Sequence, residues 1–404
     1  MSDHLAASAP TRRSWHRPMI PRSVTEPNRA ATPLELFFDL CFVVAVAQAA
    51  DRLHHALADG HARTGILGYL TVFFAIWWAW MNVTWFASAY DTDDVPYRLA
   101  MFVQIGGALI LAAGVPRAVD DGDFTVITLG YAVMRSALVG QWLRAAHTDR
   151  AGRRTALRFA AGVTACTVGW GMLLLVPDRW RPVGFAILVA AELAVPVWAE
   201  HAGKTAWHPE HIAERYGLFT LIVLGESVLA ATIAIQSALD AHEATAGLYA
   251  IAAGGLMIVF SMWWFYFAKP AYRFLVSNRV GFLWGYGHML VFASAAAVGA
   301  GLAVGADRAT GHADVSAAGA GAAVTVPVAV YLITVWFLHL RPHHARPTHN
   351  ALFPAVAFLV LAAAFTAVPV LVAGLLLAAL VAASIVLTAA PVVDRSGPGP
   401  RAPG

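Results

Sequence analysis

The feature that most constrains this chain is a succession of apolar stretches, each about 20 residues long and broken only by short polar turns. They lie near 33–50, 64–86, 95–116, 124–143, 156–176 and 182–200, then near 213–236, 246–268, 280–303, 319–340, 350–369 and 371–391. A hydrocarbon layer offers no water to backbone N–H and C=O groups, so segments of this length must bond internally as helices. Composition agrees: 59% of the 404 residues are hydrophobic and 13% charged, with mean hydropathy +0.63. A soluble domain carries roughly 45–50% apolar and about 25% charged residues. The expected fold is an all-α, polytopic transmembrane helix bundle of about twelve spans.

Charge gives this count an orientation. With a cytoplasmic N-terminus, 20 of the 27 Lys and Arg fall inside, 6 fall outside and Arg135 is left within a span. The inner set includes Arg12, Arg13, Arg17, Arg22 and Arg29 of the leading segment and the Arg144–Arg158 loop. That asymmetry is the positive-inside pattern of a plasma (inner) membrane protein with both termini cytoplasmic. Residues 1–32 read as a basic disordered tail without the apolar run of a signal peptide, and 392–404 as a second disordered tail. Cys41 and Cys166 lie in separate apolar segments, which suggests neither a disulfide framework nor a metal motif.

The twelve spans divide into two sets of six, 33–200 and 213–391, joined by a cytoplasmic linker at 201–212. Glu35 opens span 1 as Glu214 opens span 7. Trp77-Trp78-Ala79-Trp80 is echoed by Trp263-Trp264-Phe265-Tyr266, Gln141-Trp142-Leu143-Arg144 by the run from Phe337 to Arg341, and Val176-Pro177 by Val368-Pro369. An even number of spans per set makes the repeats parallel, related by an axis along the membrane normal. Spans 1 and 7 are then equivalent elements facing each other near that axis.

The runs ELFFDLCFVVAVAQ, ERYGLFTLIVLGESVLA and WWFYF resemble the bacterial low temperature requirement A (LtrA) family over about residues 30–390. The resemblance implies a multi-spanning inner-membrane protein and no particular reaction. Phe37-Phe38-Asp39 is also similar to the first-span motif of the lysosomal potassium-channel family, built from two six-helix repeats. In the second half Leu218 stands where Asp39 would align, a departure from a symmetric pore.

An ionisable group inside a span is costly and is a functional candidate by default. Glu226 lies mid-span 7 between Gly225, which permits close helix approach, and Ser227, which supplies a hydroxyl. It is the leading candidate for proton or cation binding. Glu35 and Asp39 share one face near the cytoplasmic start of span 1. Arg135 in span 4 needs an acid, and Glu192, Asp39 and Glu226 all qualify. His288 in span 9 suits a proton relay, because an imidazole titrates near neutral pH; Gln104 holds the roughly equivalent place in span 3. The groups His201/His208/His211 and His339/His343/His344/His349, and Asp91/Asp93/Asp94, read as solvated loops.

No motif for a nucleotide, a hydrolytic nucleophile or a zinc protease stands in a credible context, and nothing suggests nucleic acid. No catalytic residue, metal ligand or cofactor is assigned. The expected function is a channel or transporter for a small ion or solute, embedded in the bilayer, with a homodimer allowed. The alternatives are a membrane-embedded enzyme acting on lipid or an isoprenoid, with Glu35 and Asp39 at headgroup depth, and a structural protein of cold or stress adaptation.

Overall fold

A computed structural model describes residues 15–27, 29–240, 245–343 and 347–389. It contains twelve α-helices and no strand among the described residues. They are α1 (Pro33–Ala58), α2 (Ala62–Tyr90), α3 (Val95–Asp120), α4 (Thr125–Thr148), α5 (Arg153–Leu173) and α6 (Arg181–Glu200), followed by α7 (Pro209–Asp240), α8 (Ala246–Phe267), α9 (Asn278–Ala309), α10 (Ala317–Val335), α11 (Pro347–Ala363) and α12 (Pro369–Ala389). Ten are long and apolar enough to cross a membrane. The other two are α4, which carries Arg135, Gln141 and Arg144, and the shorter α11.

Local chemistry sets the helix ends. Thr32 caps α1 in a full capping box with Glu35, and Pro33 opens the helix. Asp94, Thr245, Ser277 and Ser316 cap α3, α8, α9 and α10 through their side-chain oxygens. Beyond α1, Gly60 adopts φ +77°, a left-handed turn that a side chain resists. At its far end α10 runs into a π-helical turn, Trp336–Leu340.

Within the first half, α1 packs on α3, α3 on α4, α4 on α5 and α5 on α6; within the second, α7 packs on α9, α9 on α10, α10 on α11 and α11 on α12. Helix α9 lies at the centre, with 89% of its apolar window buried, and touches both α1 and α7. Small residues permit the closest approaches, as expected where lipid provides no hydrophobic drive between helices. A Cβ at Gly130 would strike the Leu111 backbone of α3, and one at Gly301 the Ala323 backbone of α10.

The segment before α1 departs from a disordered tail. Met19 is buried, the Arg17 N–H donates to Asp94, and Arg29 donates to the Ala87 carbonyl at the end of α2. Arg12 and Arg13, with residues 1–14, lie outside the described residues, as do His344 and the tail at 392–404. The acidic turn is likewise no solvated loop. Arg144 and Asp94 form an ion pair, Arg98 pairs with Asp93, and Asp91 is buried. Burial works against ionisation of Asp94, but hydrogen bonds from Arg144 and the Arg17 N–H outweigh it and hold the carboxyl at about 2. For Asp91, burial and then the charge of Glu35 outweigh Arg29 and Arg22, and push its carboxyl up to about 6.

Candidate functional site

Helices α1 and α7 both open on proline and both carry ionisable residues at their third and seventh positions: Glu35 and Asp39 on α1, His211 and Arg215 on α7. Residues four apart share a helix face, and these two faces meet. Arg215 Nη2 lies 2.5 Å from Asp39 Oδ1, and its Nε donates to Oδ2 at 3.1 Å. Arg215 Nη1 reaches Glu35 Oε1 at 2.9 Å, and His211 Nε2 lies 3.2 Å from the same oxygen. The Trp80 indole of α2 donates to Asp39 Oδ1 at 2.7 Å, and the Thr32 N–H donates to Glu35 Oε2 at 2.8 Å. All four ionisable side chains are 0% exposed. One guanidinium therefore bridges two carboxylates from a single helix, the forked geometry that only arginine supplies.

A second buried cluster lies wholly in the first half. Arg135 of α4 pairs with Glu192 of α6, at 2% and 1% exposure. Each sits about 15 Å along its helix, near mid-membrane depth. Arg135 Nη2 donates to Tyr131 Oη at 2.7 Å, and Tyr131 donates to Glu192 at 3.1 Å. The indoles of Trp78 and Trp170 complete the carboxylate's shell at 2.9 and 3.0 Å. Tyr131 and Trp170 also line a cavity of about 920 Å³ with Phe74, Trp77, Phe185 and Tyr286. Asp121 and Asp123 of the loop after α3 and Arg181 at the start of α6 line its polar side.

Residues 30–387, the span holding both clusters, match the sequence model of the bacterial low temperature requirement A protein. The chain belongs to the LtrA family. An uncharacterized protein of Rhizobium meliloti (strain 1021) is 29% identical over 265 residues, covering 62% of this chain. The match spans 61% of that relative's length.

In this LtrA protein the sequence candidates fall into separate places. Glu35 and Asp39 come together; Arg135 meets Glu192 and neither Asp39 nor Glu226. Ser227 is buried and donates to the Ala295 carbonyl of α9 at 2.8 Å, a helix-to-helix contact against Gly299. Glu226 is half-buried, with no hydrogen-bond or ion-pair partner among the described residues. Nothing lies within 4 Å of a Cβ built on Gly225, so that glycine admits no neighbouring helix. His288 is buried on α9 beside Tyr266 and His339.

The sequence bounds start span 7 near 213, which leaves His211 in the linker and Arg215 just inside the span; α7 begins at Pro209. The added turn carries His211 from a loop into the core, and Arg215, which the charge count takes as a cytoplasmic charge, is the partner of both α1 acids. The pairs Glu35–His211 and Asp39–Arg215 are each 176 residues apart, so Arg215, and not Leu218, stands opposite Asp39. The available signal was a proline followed by ionisable residues at matching intervals in both halves. His339, grouped with the inner-loop histidines although span 10 is expected to reach 340, is buried in the π-turn Trp336–Leu340. His208 is buried too, beside the Glu26 carbonyl at 3.0 Å.

Proposed function

We propose that this LtrA protein is a plasma-membrane transporter for a small solute or ion. Its two six-helix halves move against each other about the α1–α7 contact, with Glu35 and Asp39 as the groups that load and release protons. The observation that carries the reading is the joint itself. Four buried ionisable side chains tie the opening helix of one half to the opening helix of the other. Two buried acids against one permanent cation leave charge to be balanced by the His211 proton or by a proton on an acid. Protonating an acid would weaken its hold on Arg215 and loosen the joint.

Two further observations support a duplicated, rocking architecture. The first, third, fourth, fifth and sixth helices pack in succession in each half, although α8 also packs closely on α12, as α2 does not on α6. The residues that meet across the joint hold matching places on α1 and α7, as residues beside a two-fold axis do. Substrate would enter the aromatic cavity between the first half and α9, on the face away from the N-terminus, which the positive-inside pattern assigns to the extracytoplasmic side.

Proteoliposomes loaded with a pH-sensitive dye test the reading. Under an imposed potential, the wild type should acidify or alkalinise the lumen, and Asp39→Asn should reduce the rate at least about tenfold. Wild-type vesicles no leakier to protons than protein-free ones, or a normal rate in Asp39→Asn, would sink it.

A further inference from the structure

Three side chains that the transport reading does not use converge in the second half. Tyr266 comes from the end of α8, His288 from α9 and His339 from the π-turn that follows α10; all three are buried. Tyr266 Oη lies 3.0 Å from His288 Nε2, and His339 Nε2 lies 3.3 Å from the same nitrogen. His288 Nδ1 lies 2.7 Å from the Trp284 carbonyl, where it can only donate. That leaves Nε2 as the lone-pair nitrogen and fixes the tautomer, the support a metal-ligating histidine usually receives from its second nitrogen. The rings of Trp284 and Tyr216 hold the imidazole in place at 4.0 and 4.8 Å. The π-turn matters as well: such turns are frequent at functional sites, and this one, at the end of α10, carries His339 to within 3.3 Å of His288.

We propose that Tyr266, His288 and His339 form a binding site for one divalent transition-metal ion of the zinc or cobalt class. The spacing fits. Two nitrogens each about 2.05 Å from a tetrahedral ion lie about 3.3 Å apart, the separation found between the two Nε2 atoms. Two imidazoles and a phenol oxygen make three ligands, leaving the fourth position open. Binding converts the Tyr266 phenol to phenolate, so one proton leaves the site for each ion taken up. The other histidine-rich group, Asp51 with His54 and His55 at the end of α1, fits less well. It is partly exposed, Arg52 already neutralises Asp51 at 2.5 Å, and Asp307 holds His54 at 2.6 Å.

The test is a titration of full-length, chelator-washed protein in detergent with Co²⁺. One ion per chain should bind, with the strong visible absorption of four-coordinate cobalt. His288→Gln and His339→Gln should each weaken binding at least about a hundredfold, since loss of a supporting contact alone costs about 10–100-fold. Tyr266→Phe should weaken it less and abolish the proton release, while His54→Ala should change nothing. Binding lost in His54→Ala but kept in His288→Gln would overturn the site, as would a wild type that takes up no ion. Should the histidine variants fail to fold, X-ray absorption of the wild-type cobalt complex decides. Two imidazoles and one oxygen at about 2.0 Å support the site, and a shell of carboxylate oxygens overturns it. None of these outcomes depends on transport.

Discussion

Arg215 and Arg135 are both buried among the helices, and they are buried differently. Arg215 crosses between halves and holds two carboxylates of one helix. Arg135 stays within its half and holds one carboxylate, which Tyr131, Trp78 and Trp170 hydrogen-bond as well. Withdrawing such charges from water costs several kcal/mol per ion, recovered only through good geometry and further hydrogen bonds. The Arg135 cluster obtains them from neutral aromatic donors that also wall a cavity. The Arg215 cluster obtains them mainly from opposite charge. The first is suited to remain fixed while a ligand comes and goes; the second has its main attachment in a charge balance that a single proton can alter.

The largest effects should come from breaking that balance. Arg215→Ala strands two buried carboxylates and should cost about 4–5 kcal/mol, whereas Arg135→Ala strands one cushioned carboxylate and should cost about 3 kcal/mol. Thermal and denaturant unfolding in detergent would measure both. Equal losses would erase the distinction between joint and wall. The triple change Glu35→Leu, Asp39→Leu, Arg215→Met should recover most of the stability, because apolar replacements of a whole buried ion cluster are often neutral or better. The same protein should then move no protons, which separates the cluster's contribution to folding from its contribution to transport.

How much of this was legible in the sequence depended on which physical signal each part left. The helices were readable because lipid demands long apolar runs, and most span centres were placed well. The Arg135–Glu192 pair was among the partners proposed, since a guanidinium at mid-span has few acids to choose from. The α1–α7 joint is half visible: Glu35 and Asp39 stand inside span 1, while His211 falls in the linker and Arg215, just inside span 7, counts among the cytoplasmic charges. Helix ends are the least readable part of a helix, and here four residues decide whether His211 belongs to a loop or to the core. The His288–His339 contact was harder still, because one π-turn brings together residues 51 apart in the chain. Hydropathy carries no sign of such a turn.

A smaller effect should appear as pH dependence on the N-terminal face, where the Glu35 charge reaches Asp91. Raised to about 6 from its ordinary 3.8, Asp91 binds a proton more tightly in the folded protein than in the unfolded chain. Stability contributed by that proton is present at low pH and lost as pH rises from about 4 to about 6, by on the order of 2 kcal/mol. Asp94 has the opposite sign: held at about 2, it loses its contribution as pH falls below about 4. Melting temperatures between pH 4 and 7 should therefore decline in the wild type and flatten in Asp91→Asn. Glu35→Gln should shrink the decline without abolishing it, because burial, the larger cause, remains. A decline unchanged in Asp91→Asn would place its origin elsewhere.

The smallest effect is expected at Glu226, the acid that looked most important in the sequence. It differs from the acids of both clusters in a way that depth along a helix does not reveal. They face protein and have arginine partners; Glu226 is half-buried and has none among the described residues. Removing its charge takes away no bond and strands no partner. Glu226→Gln should therefore shift stability by no more than about 0.5 kcal/mol and leave proton flux within about twofold of wild type. A large loss of flux with stability intact would return Glu226 to the transport pathway. It would also show that a proton moves along the exposed side of α7, rather than through the joint that α7 makes with α1.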